Sequence, residues 1–102
     1  MPDGPPAAPS LEDACAVVSG TPARVRTLRV VMDGTDVTAI DVMAATGLSR
    51  NAVGHHLTAL LKAGVVTQRR ATHARGSGPV IYWSVDVDAI HAIRDTLSSH
   101  LT

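Results

Sequence analysis

The tetrapeptide Thr46-Gly47-Leu48-Ser49 limits the folds open to this chain more than any other stretch. Gly47 is a helix stop, because glycine accepts the left-handed conformation of a helix C-terminus. Ser49 is a helix start, because its hydroxyl can accept a bond from a free N–H of the first turn. The preceding segment opens at Thr38 with Asp41 three positions later, the spacing of a capping box. The following segment, 50–63, ends at Gly64. Two short helices joined by a tight turn with glycine form the helix-turn-helix pattern.

The same punctuation divides the rest of the chain. Residues 1–9 hold four of the six prolines and read as a disordered tail, so the folded domain is expected over 10–102. Ser10 and Asp13 predict a capped helix that stops at Gly20. Thr21 and Pro22 predict a second helix to Met32, with Val25, Leu28 and Met32 as its apolar stripe. After Gly64 the pattern turns β-rich: VVTQRR and VIYWSV flank the polar loop ATHARGSGP, which predicts a hairpin. A last helix follows Asp86 or Asp88 and runs to Leu101. The expected fold class is mainly α with a β-hairpin, a winged helix-turn-helix in the order α-α-α-α-β-β-α.

The chain has no net charge, but its charges are sorted. Between Asp41 and Asp86 there is no acidic residue, while Arg50, Lys62, Arg69, Arg70 and Arg75 all lie there with His55, His56 and His73. A basic segment in a neutral chain is suited to a polyanion. The second element of a helix-turn-helix enters the DNA major groove, so the two observations point to double-stranded DNA. Helix 50–63 sorts its own residues accordingly. At about 100° per residue, Val53, Leu57, Leu60 and Leu61 form one stripe, and Asn51, His55, Thr58 and Lys62 face away from it. His55 and His56 therefore diverge by about 100°. His55 joins the outward set, whereas His56 flanks the stripe and is expected to pack at the helix boundary, bonding backbone or phosphate.

The expected DNA-binding set is Ser49, Arg50, Asn51, His55, His56, Thr58, Lys62, Arg69, Arg70, His73 and Arg75. Arg50, in the first turn, suits a bidentate contact to guanine. The wing, 69–79, suits phosphate or minor-groove contact. Arg24, Arg26 and Arg29 have acids nearby in sequence and read as surface pairs. Gly54 costs about 1 kcal/mol relative to alanine and fits either a close approach or simple tolerance.

TPARVR at 21–26, LSRNAVGHHLTALLKAGVV at 48–66, YWSV at 82–85 and the final helix resemble the ArsR family of bacterial winged-helix repressors. The resemblance covers about residues 20–100. MarR-type and other winged-helix regulators are near neighbours of the pattern. His56 falls on the family's common histidine, and Gly54 stands where the family has serine. The resemblance implies a homodimeric repressor, joined through the first and last helices, on a palindromic operator. One metal-responsive class of the family uses Cys-x-Cys before the acid of the third helix, where this chain has Thr38 and Ile40. A second class uses Asp and His on the last helix. There, Asp88, His91 and Asp95 share one polar face, but His100 points away and the family's spacing is not met.

No metal site or cofactor is therefore expected from these residues, no effector can be read from them, and Cys15 reads as a small buried hydrophobe. No nucleophile–base pair, paired acids or phosphate-cradling loop stands out, so an enzyme is not expected. The alternative is a winged helix used for protein–protein assembly, which predicts an apolar outward face on helix 50–63. The N-terminus lacks the basic start and apolar stretch of a signal peptide. With the lone cysteine, this suggests a cytoplasmic protein without a membrane span.

Overall fold

The computed structural model describes residues 9–18, 21–72 and 78–101. The elements run α1 (Leu11–Val18), α2 (Pro22–Asp33), α3 (Ala39–Thr46), α4 (Arg50–Lys62), β1 (Val66–Thr72), β2 (Pro79–Val85) and α5 (Val87–Leu101). This is the expected order. Pro9 is the described part of the expected tail, and its carbonyl accepts the Thr96 hydroxyl of α5 at 3.2 Å. Gly20 lies outside the described residues.

Local capping explains where the helices begin. Ser10 and Asp13 exchange backbone-to-side-chain bonds of 3.1 and 3.4 Å, and Thr38 and Asp41 do so at 3.2 and 2.9 Å. Each pair satisfies N–H groups that a helix start leaves open. Ser49 Oγ accepts the Ala52 N–H at 3.2 Å, and Asp86 Oδ1 accepts the Ala89 N–H at 3.1 Å. Thr21 departs from expectation: its backbone is extended as a cap requires, but its side chain makes no capping bond. Between α3 and α4, Gly47 has φ 74° and its N–H reaches the Met43 carbonyl, which ends α3 within one residue. A side chain would be strained there.

One core runs through the domain. Val17 of α1, Leu28 and Val31 of α2, Val42 of α3, and Val53, Leu57 and Leu60 of α4 meet Val65, Val66, Trp83 and Ile93. Small aliphatics dominate because Tyr82 and Trp83 are the only aromatic residues of the Phe, Trp and Tyr class. The α4 stripe is the one its periodicity predicts. That of α2 is not. Thr27, Leu28 and Val31 are buried, while Val25 and Met32 are exposed. Counting from Leu28, the true stripe continues to Val31 and back to Arg24, so the inward face is rotated from the expected one. Cys15 also departs from expectation, since it is exposed.

The hairpin is antiparallel, with Val66 opposite Val85 and Arg69 opposite Tyr82. A further pairing was not legible in the sequence. Val37 and Trp83 exchange backbone bonds of 3.1 and 2.7 Å, so the α2–α3 connection adds a one-residue third rung to the hairpin. Gly34 allows that approach, because a Cβ there would run into the Val37 side chain.

Thr27 is fully buried, and its hydroxyl has no hydrogen-bond partner among the described residues. Burying an unpaired hydroxyl costs about 1–3 kcal/mol. Thr27→Val keeps the shape and removes the polar atom, so it should raise stability by about 1 kcal/mol in urea unfolding. A lower midpoint would mean that the hydroxyl is satisfied in solution.

Candidate nucleic-acid interface

The turn at Gly47 sets α4 across the domain with one flank in the core. Val53, His56, Leu57 and Leu60 are buried, and Arg50, Asn51, His55, Thr58 and Lys62 are exposed. The sequence-predicted outward residues of α4 therefore share one solvent face, with Ser49 at its head. The face carries hydrogen-bond donors and acceptors and two cations. It carries no carboxylate and no large apolar side chain. Gly54 also faces solvent, and a Cβ there would have no atom within 4 Å. No packed neighbour demands the glycine.

His56 does not belong to that face. It is 9% exposed, and its Nδ1 accepts the Nε–H of Arg24 at 3.3 Å. Little of the ring is left for a base or a phosphate, so its expected place among the DNA contacts is corrected to an internal one. Burial lowers its pKa from the ordinary 6.5, and the nearby charge of Arg24, then His55, lowers it further. Arg24 is corrected too. It does not stand on the surface: half-buried, it also donates to the Ala16 carbonyl of α1 at 2.8 Å. Sequence reasoning missed it because a stripe drawn through Met32 puts Arg24 outside. The helical wheel drawn through Val31 puts it on the buried side. Arg29 is the expected surface pair, 2.9 Å from Asp33.

On the wing, Arg70 is exposed opposite Ile81. Arg69 has no acid near it in sequence but has one in space. It lies 3.2 Å from Asp36 Oδ2, and its guanidinium sits 4.8 Å from the centre of the Tyr82 ring. Asp36 also accepts the Ser84 hydroxyl at 3.3 Å. Its φ of 54° is in the left-handed region, which Asp tolerates better than most residues. His73 and Arg75 lie outside the described residues. Among the described residues, no three metal-ligating side chains come together. On α5, Asp88, His91 and Asp95 are exposed, and Asp95 takes Arg94 at 3.1 Å.

Residues 21–68 match the family described as bacterial regulatory protein, arsR family. This segment holds α2, α3, the turn, α4 and the first residues of β1. Residues 21–68 are an ArsR-family helix-turn-helix. The protein is accordingly a DNA-binding transcription regulator with a winged-helix fold. No curated protein sequence matches the chain.

Solved structures share the fold. One described as a possible transcriptional regulator for arsenical resistance is similar at 23% identity and a TM-score of 0.72, covering 88% of this chain and 84% of that one. NolR from Sinorhizobium fredii is similar at 27% identity and a TM-score of 0.61, covering 86% and 83%. The zinc-responsive MarR family member ZitR of Lactococcus lactis is similar at 22% identity and a TM-score of 0.57, covering 81% of this chain and 60% of its own. The first and third similarities carry the fold alone. No helix of the described residues is long and apolar enough to cross a membrane.

Asp36 restrains a wing cation, and this is testable. Asp36→Asn keeps a residue that tolerates the left-handed backbone and removes the ion pair. Affinity for all duplexes should rise, and the slope of log K against log salt should steepen by about one. Anisotropy titrations across a salt series would check this. An unchanged slope would mean that Arg69 stays on Tyr82, away from the phosphates.

Proposed function

We propose that the protein is a homodimeric transcriptional repressor that binds a palindromic operator, with α4 in the major groove and the wing on the backbone or minor groove. The observation that carries this reading is the division of α4. Arg50, Asn51, His55, Thr58 and Lys62 face solvent without a carboxylate among them, and Val53, Leu57 and Leu60 lie in the core behind. A face used for protein assembly would be apolar at its centre.

In this reading Arg50 reads a guanine, Asn51 and His55 reach base edges, and Ser49, Thr58 and Lys62 hold the backbone. Arg69, Arg70, His73 and Arg75 add phosphate contacts from the wing, supplying affinity more than sequence choice. No catalytic step, cofactor or metal enters. The reading also places the protein in the cytoplasm, where its DNA is.

Two-fold pairing through the first and last helices is supported by an apolar groove of about 450 Å³. Val17, Leu28, Ile90, Ile93, Leu97 and Leu101 line it, and Leu101 is 82% exposed. Two copies joined there would present two α4 helices to half-sites spaced about one DNA turn, roughly 34 Å, apart.

Selection from random duplexes should recover a two-fold-symmetric sequence. Arg50→Ala should weaken binding to it by about 1–3 kcal/mol and relax the preference at one base pair per half-site. Equal affinity and selectivity would remove Arg50 from the reading set. Leu101→Glu places a charge in the groove without disturbing the monomer's core. It should shift sedimentation towards the monomer and weaken operator binding in parallel. A dimer unchanged by Leu101→Glu would move the seam elsewhere.

A further inference from the structure

Three groups converge on the guanidinium of Arg24. Its Nη1 donates to the Ala16 carbonyl at 2.8 Å, its Nε donates to His56 Nδ1 at 3.3 Å, and its Nη2 lies 3.5 Å from His55 Nε2. The Ala16 carbonyl belongs to the last turn of α1, where carbonyls lack partners inside the helix. A cation is also favoured at that end of a helix. One α2 side chain thus closes α1 and holds two consecutive residues of α4.

The contact fixes a protonation state. A guanidinium has donors only. His56 Nδ1 must therefore keep its lone pair, and the neutral ring carries its proton on Nε2. A second proton would set N–H against N–H and break the bond.

We propose that Arg24 is a positioning residue for DNA binding that acts through the neutral ring of His56, and that a proton on His56 loosens α4 and weakens the complex. This rests on α4 being the DNA-reading helix.

The surroundings favour the neutral state. Burial, Arg24 from α2 and His55 from α4 all disfavour charge on His56, and no carboxylate of α1 or α3 offsets them among the described residues. β1 has no carboxylate to offer. The native ring thus binds its proton less readily than the unfolded chain does. Stability is constant above the unfolded value of about 6.5 and falls as pH drops below it towards the lower folded value. His55 is exposed on the outward face of α4, so a comparison that isolates His56 is needed to expose its own response.

His56→Asn isolates it, because the amide oxygen can accept from Arg24 and the side chain does not titrate. Binding of the full chain to the selected duplex is measured for wild type and His56→Asn between about pH 8 and pH 5.5. The ratio of wild-type to variant affinity should be level above about pH 7 and fall progressively towards about pH 5.5, by less than about tenfold because the ring titrates below 6.5. A level ratio throughout overturns the proposal while leaving α4 as the reading helix. Arg24→Lys, which keeps the charge but loses the fork, should bind more weakly at high pH and lose most of the acid-dependent change. Wild-type behaviour in Arg24→Lys would also overturn it.

Ring-nitrogen NMR of the free protein tests the contact without DNA. The expected result is His56 as the Nε2–H tautomer, titrating below 6.5. The Nδ1–H tautomer overturns the proposal whatever the binding data give. Wild-type protein that binds no duplex at high pH overturns the reading of α4, and this proposal with it.

Discussion

Val53, Leu57 and Leu60 anchor α4 in the core, and the other elements are arranged by that contact. Each buried aliphatic contributes about 1.5–3 kcal/mol relative to exposure, so the three decide the rotation of the helix by a wide margin over any surface pair. Once that flank is fixed, Arg50, Asn51, His55, Thr58 and Lys62 have no place but solvent. The α3 helix is held against α4 by the left-handed Gly47, and it buries Val42 in the same core. The make-up of the outer face is thus a consequence of packing at the inner one. Polar substitutions outside need not disturb the fold, and a large-to-small change at Leu57 would disturb both.

The hairpin is tied to this core by means that are only partly hydrophobic. Trp83 fills the space beside Val37, and their backbones pair. Asp36, the residue before, then reaches Ser84 and Arg69. The α2–α3 connection is therefore a strut between helix-turn-helix and wing. The ion pair in it is half-exposed and worth little by itself. Its effect is to set where one cation sits. Arg70, the next residue, points to the other side of the strand and is not so held among the described residues.

What the sequence made legible follows from locality. Ser10, Thr38, Ser49 and Gly47 act within four residues of themselves, so their caps and turns were read correctly. The α4 stripe was equally plain, because Val53, Leu57 and Leu60 keep helical spacing without a competing apolar series. α2 offered two series. Val25 and Met32 competed with Leu28 and Val31, and hydrophobicity alone could not choose between them. The deciding residue is a half-buried arginine, whose charge argues against burial while its partners lie 8 and 32 positions away. Asp36 failed for the same reason. An acid-free run in sequence says nothing about an acid that the fold brings in from 33 residues earlier, as the Arg69 contact does.

The zero net charge of the chain also acquires a structural meaning. Its acids are largely spent at helix starts and in local pairs. Asp13, Asp41 and Asp86 cap α1, α3 and α5, where a negative charge meets the positive end of the helix dipole. Asp33, Asp36 and Asp95 each take an arginine. Arg50, Lys62 and Arg70 make no ion pair among the described residues and are exposed. The long-range field that a polyanion meets is thus set less by the total charge than by which charges are already answered nearby. With a screening length of about 8 Å at physiological salt, an acid cancels only those cations that lie close to it. A neutral chain can therefore present a basic surface, and the caps that start its helices are part of how it does so.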